Sequence, residues 1–152
     1  MQLRIKVRPA LAGLAIVGGA AIVAALGPAG PAVGESSVPL QMQMQLNSGA
    51  VVAKGAGVEV SVTTQCFGEE PGSVSVQILL NERVGSGIAS GSGTAVVDCT
   101  DVSQTSLVLV ESSGSKPFKR GSAVAQGNIN GCAQDLSACN TDSVEATIQI
   151  GG

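Results

Sequence analysis

The chain contains no histidine, no tryptophan and no tyrosine, and its only aromatics are Phe67 and Phe118. Without histidine there is no Ser-His-Asp or Cys-His catalysis, and the commonest ligand of zinc and copper is missing. Without Trp and Tyr there are no stacking platforms for single-stranded nucleic acid. The flat aromatic faces on which sugar recognition leans are missing too. Charge is also scarce. Asp, Glu, Lys and Arg make up 12% of the 152 residues, about half of ordinary globular usage, so the surface must be built mainly from Ser, Thr, Asn, Gln and Gly. Eight basic residues against eleven acidic ones leave a formal charge of −3, the wrong sign for a phosphate backbone. No nucleic-acid partner is expected.

The N-terminus has the first recognisable pattern. Arg4, Lys6 and Arg8 precede an uncharged run over residues 11–26, and small residues and prolines follow over 27–34. A positive start, an apolar middle and a small-residue exit make a secretory signal peptide, residues 1–34, with Ala32-Val33-Gly34 as the cleavage site. A retained signal anchor is the alternative. The run is shorter than the roughly 20 apolar residues of a spanning helix and carries Gly13, Gly18 and Gly19. Cleavage would leave residues 35–152, one domain of 118 residues with charge −6 and no membrane attachment.

Strand signals dominate the remainder. Val38, Leu40, Met42, Met44 and Leu46 alternate with Pro39, Gln41, Gln43, Gln45 and Asn47. That period of two puts successive side chains on opposite faces of a half-buried strand. With no histidine nearby, the methionines read as core filling rather than as a copper site. Val58, Val60, Val62, Thr64 and Cys66 form a second apolar face, and Val74, Val76, Ile78 and Leu80 a third, after the turn signal Glu69-Glu70-Pro71-Gly72. The glycine-rich stretch 85–93 invites a phosphate-loop reading, but alternation through Ala95, Val97 and Cys99 follows it instead of a helix. It therefore reads as a hairpin or an edge connection. Residues 104–110, 122–129 and 144–150 complete about seven or eight short strands, and no segment keeps a 3.6-residue repeat. The expected fold is all-β, an antiparallel immunoglobulin-like sandwich after an N-terminal signal helix, with a barrel as the second choice.

Four cysteines in an exported chain imply a disulfide framework. Cys66 lies on the face of Val58, Val60 and Val62, and Cys99 on that of Ala95 and Val97, so both should point inward. Cys132 and Cys139 close a short loop, Cys132-Ala-Gln-Asp-Leu-Ser-Ala-Cys139. The expected pairs are Cys66–Cys99 and Cys132–Cys139. A redox or zinc role for the second pair would call for tighter spacing or more ligands.

The order of these features resembles a group of small secreted actinobacterial proteins with immunoglobulin-like folds. The features are an alternating first strand, a strand ending in Cys66, Asp98-Cys99-Thr100 after a Gly/Ser-rich hairpin, then Phe118-x-x-Gly121-x-Ala123-x-Ala125 before Cys132 and Cys139. The resemblance covers residues 38–150 and implies an extracellular or envelope-associated β domain. Neocarzinostatin-type apoproteins, which hold a chromophore in a cleft, are similar in architecture. Antibody-type domains differ, since they carry a buried Trp and a longer Cys–Cys spacing.

Catalysis is not expected. A serine nucleophile would need a lysine base, and Ser115 beside Lys116 points to the opposite side of an extended chain. Glu69, Glu70, Asp98 and Asp101 read as turn residues rather than a glycosidase pair. Asp98 and Asp101 bracket Cys99-Thr100, which leaves calcium binding as an option, although no metal or other cofactor is assigned. Lys116, Phe118, Lys119 and Arg120 form the one basic cluster, a candidate patch for an acidic partner or an anionic envelope polymer. Its alternative is a strand entry with Phe118 packed inward. The expected function is a secreted, monomeric, non-enzymatic binding or structural module. A small-molecule carrier with an apolar cleft, and a protease inhibitor presenting Asp135 and Leu136 on a disulfide loop, are the rivals.

Overall fold

The computed structural model describes residues 38–152; the expected signal peptide and signal helix, residues 1–34, lie outside them. Seven strands follow one another: β1 Gln41–Val52, β2 Gly57–Phe67, β3 Pro71–Val84, β4 Gly87–Val97, β5 Gln104–Ser112, β6 Gly121–Ala133 and β7 Cys139–Gly151. A single 3₁₀ turn, Ala53–Gly55, joins β1 to β2. The domain is all-β, as the alternation predicts.

Alternation places the side chains correctly. Met42, Met44 and Leu46 of β1 are buried, while Gln41, Gln43 and Gln45 face solvent. Val58, Val60, Val62, Thr64 and Cys66 of β2 line the interior with Val74, Val76, Ile78 and Leu80 of β3. The methionines fill space left by glycines. A β-carbon at Gly127 would press on Met44, and one at Gly131 on Met42 and Val74. On the outer faces of β3 to β6 the exposed positions include Leu79, Ile88, Val96, Leu107, Leu109 and Val124.

The open sandwich is not what forms. The strands close into a barrel in the order β1-β2-β5-β4-β3-β6-β7, with β7 returning to β1. Two short seams make the closure. Residues 48–50 of β1 pair with 149–151 of β7 in parallel. Gly91 and Ser92 of β4 pair with Ser112 and Glu111 of β5, and the Ser113 amide donates to the Ser90 carbonyl at 2.9 Å. Side-chain alternation says which face a residue occupies but not whether two edges meet. Glycine decides that here, because a missing β-carbon lets backbones approach. A β-carbon at Gly91 or Gly93 would collide with the backbone of Glu111 or Leu109, and one at Gly49 with Val58. The glycine-rich stretch read as a hairpin or edge is therefore a turn at Gly85-Ser86 followed by a seam strand.

Because β1 to β7 run alternately up and down, their connections alternate between two ends. The 53–56, 85–86 and 113–120 connections share one end. The 68–70, 98–103 and 134–138 connections share the other.

Candidate functional site: two oppositely charged poles

Every Lys and Arg of the described residues lies at the first end. Lys54 sits in the 3₁₀ turn, Arg83 at the end of β3, and Lys116, Lys119 and Arg120 in the connection from β5 to β6. Lys54, Arg83, Lys119 and Arg120 are exposed, and Lys116 is half-buried with its stem lying over Gly87. The acidic residues of the described chain near this end are Glu82, which is buried, and the exposed Glu59 and Glu111.

The basic cluster read from the sequence is thus both extended and trimmed. Phe118 is 2% exposed and belongs to the core, so it offers no surface to a partner. It anchors the connection instead. The Phe118 amide donates to the Gly55 carbonyl at 2.9 Å, and the Lys119 amide donates to the Glu82 carboxylate at 2.8 Å. The Ser112 amide donates to the Ala56 carbonyl at 2.8 Å, which ties the connection's start to the neighbouring turn. Gly55 has φ 93°, and a β-carbon there would strike the Phe118 carbonyl and Pro117. Ala53 and Lys54 share this left-handed backbone at φ 48° and 57°, a conformation that costs about 1–2 kcal/mol for each non-glycine residue. The tight turn brings the Lys54 connection against the 116–120 segment. Lys54 and Arg83 are far from that segment in sequence, and only strand parity joins them to it.

The opposite end is acidic. Glu69 and Glu70 lie between β2 and β3, Asp98 and Asp101 between β4 and β5, and Asp135 between β6 and β7. An open cleft of about 700 Å³ is lined by Glu69, Glu70, Asp98 and Asp101 together with Phe67, Val74 and Val97. No Lys or Arg of the described residues lines it. Its wall is the Cys66–Cys99 disulfide, whose Cα atoms are 5.4 Å apart. The 98–103 connection is pinned beside β2. The Cys66 amide donates to the Thr100 carbonyl at 2.7 Å, and Gln65 Nε2 donates to the Asp101 carbonyl at 2.7 Å. The calcium option lacks geometric support, because among the described residues no three His, Cys, Asp or Glu side chains are grouped to hold a metal ion.

The second disulfide, Cys132–Cys139, links directly opposed residues of β6 and β7 at this same end. Beyond it the chain makes a tight turn. The Leu136 amide donates to the Ala133 carbonyl, and the Ser137 amide to Asp135 Oδ1, each at 2.9 Å. Ser137, by its side chain and then its amide, holds the Asp135 carboxyl below its ordinary range, and the same hydroxyl donates to Glu69 Oε2 at 3.1 Å. Leu136 is 75% exposed but has φ 61°. A protease groove takes an extended segment as an added strand, and this left-handed turn does not present one.

No protein-family model matches the chain, and no curated protein matches it either. The two disulfides are consistent with an extracellular protein, since such bonds persist in oxidising compartments.

Proposed function

We propose that the protein is an exported, non-enzymatic binding module of the cell envelope that engages an anionic envelope polymer through its cationic pole. One observation carries this reading: a domain with an acidic balance gathers all five cations of residues 38–152 at one end. A scattered distribution would leave no local positive field. Gathered cations attract a polyanion even on a net acidic molecule, because screening at physiological salt confines each field to about 8 Å. Near an anionic surface each Lys or Arg contributes about 1 kcal/mol. Five together give a dissociation constant of about 0.2 mM, so stable retention comes from many modules on one repeating polymer.

The test is binding of the oxidised domain, residues 35–152, to immobilised polyglycerol phosphate, a polyphosphodiester, with an uncharged glycan as control. Reversing two cations, K119E/R120E, should weaken binding at least tenfold, whereas E70Q/D101N should leave it unchanged or slightly stronger. Equal binding by K119E/R120E and the wild type would end the proposal.

The small-molecule carrier remains as a second reading because the cleft at the acidic pole has the size of ligand sites, about 300–1,000 Å³. A compound released on denaturing freshly secreted protein would favour it.

A further inference from the structure

The two poles of one molecule are complementary to each other. We propose that the domain associates head to tail, the cationic pole of one copy docking on the acidic cleft of the next. The inference goes beyond polymer binding and does not need it. It rests on three features: the sign of the charges, their placement at opposite ends, and the concave shape of one of the two ends.

Opposite ends matter first. The 11 residues of β2 run from one pole to the other and span about 36 Å. That is more than four screening lengths at physiological salt, so the poles do not neutralise each other within a molecule. Each is free to act on a neighbour. The overall negative charge opposes association only at long range, and it is screened over the same distance.

Shape matters second. The acidic end is a cleft backed by the Cys66–Cys99 disulfide, with Phe67 exposed on it, and rimmed by Glu69, Glu70, Asp98 and Asp101. Lys54, Lys119 and Arg120 are exposed on the connections of the other end. A cationic side chain entering the cleft would meet carboxylates on two separate connections, and its stem could lie against Phe67, which is 36% exposed. Unlike surfaces at opposite ends make a heterologous contact, which propagates into open chains rather than closing as a two-fold dimer. Polymer and second copy compete for the same cationic pole, so polymer is left out of the test.

Sedimentation velocity of the oxidised domain should show a sedimentation coefficient that rises with concentration at about 0.1 M salt and stays flat at about 1 M, where the screening lengths are about 10 Å and 3 Å. K119E/R120E leaves Lys54, Arg83 and Lys116 outnumbered by acids at its altered end, and E70K/D101K sets two lysines against Glu69, Asp98 and Asp135. Neither variant keeps a complementary pair of poles, so each alone should remain monomeric. Mixed one to one, they should form a one-to-one complex at low salt through the intact acidic pole of the first and the intact cationic pole of the second. Folding of both variants is checked by their melting transitions. Carbodiimide coupling of wild-type protein supplies a variant-free readout. It should join Lys119 or Lys54 of one isotopically labelled copy to Glu70 or Asp101 of an unlabelled one. A wild type that stays monomeric at low salt, a charge-reversed pair that fails to associate, or couplings confined to a single pole would overturn the proposal.

Discussion

At the acidic pole the connections are covalently fixed: Cys66–Cys99 ties β2 to the 98–103 segment, and Cys132–Cys139 ties β6 to β7. At the cationic pole there is no disulfide. One buried aromatic and a few hydrogen bonds hold three connections together there, chiefly Phe118 in the core, its amide on Gly55, and the Lys119 amide on Glu82. The difference shows two ways of giving shape to the ends of a barrel with few charges and almost no aromatics. Cross-links restrict the unfolded chain as well as the native one. Packing and hydrogen bonds act only in the folded state, so the cationic pole is the end that local unfolding should reach first.

The largest single effect is expected at the end without cross-links. Phe118→Ala should remove about 3–5 kcal/mol of stability, read by denaturant unfolding, and should weaken polymer binding with it because the connection loses its anchor. Close behind comes the pair Cys66→Ser with Cys99→Ser. For a separation of 33 residues the loop-entropy relation gives about 3.8 kcal/mol. Cys132→Ser with Cys139→Ser, separated by 7 residues, should cost less, about 2.5 kcal/mol. Neither disulfide removal should alter polymer affinity at temperatures where the domain stays folded. If it did, the two ends would not be independent.

Glu82→Ala is a finer probe of the cationic pole. Loss of the carboxylate that accepts from the Lys119 amide should cost about 1.5 kcal/mol and speed hydrogen exchange at Lys119. Unchanged exchange there would show that Glu82 does not hold the connection. The smallest effect is expected at Asp135. Its carboxyl is held below the ordinary range by Ser137, so the contact is fully formed above that range and is lost as pH falls through the lowered value. Carboxyl shifts followed by NMR should titrate below about pH 3.9, and Ser137→Ala should move the midpoint upward.

Much of this architecture is readable before any coordinates. Period-two alternation identifies Met42, Met44 and Leu46 as interior, and it places Cys66 and Cys99 where they bond. Closure of the barrel is not readable that way. Gly91, Gly93 and Gly49 look like ordinary strand or turn glycines until the backbones of Leu109 and Glu111 and the Val58 side chain are found against them. The patch was half legible for a similar reason. Lys116, Lys119 and Arg120 are neighbours in sequence, whereas Lys54 and Arg83 join them through the parity of an up-and-down chain. Counting connections would have found it, because the cations lie in or beside the odd ones and Glu69, Glu70, Asp98, Asp101 and Asp135 in the even ones. Phe118 shows the limit of reading residue type alone. An aromatic beside three cations resembles a contact residue, but scarcity of aromatics makes it more valuable in the core.

The most direct measurement of the charge segregation is an NMR titration of the isotopically labelled domain with polyglycerol phosphate. The expected result is that amide shifts gather at Lys54, Arg83, Lys116, Lys119 and Arg120, weaken as salt is raised, and leave Glu69, Glu70, Asp98 and Asp101 unmoved. Shifts centred on the acidic cleft, or none at either end, would contradict it.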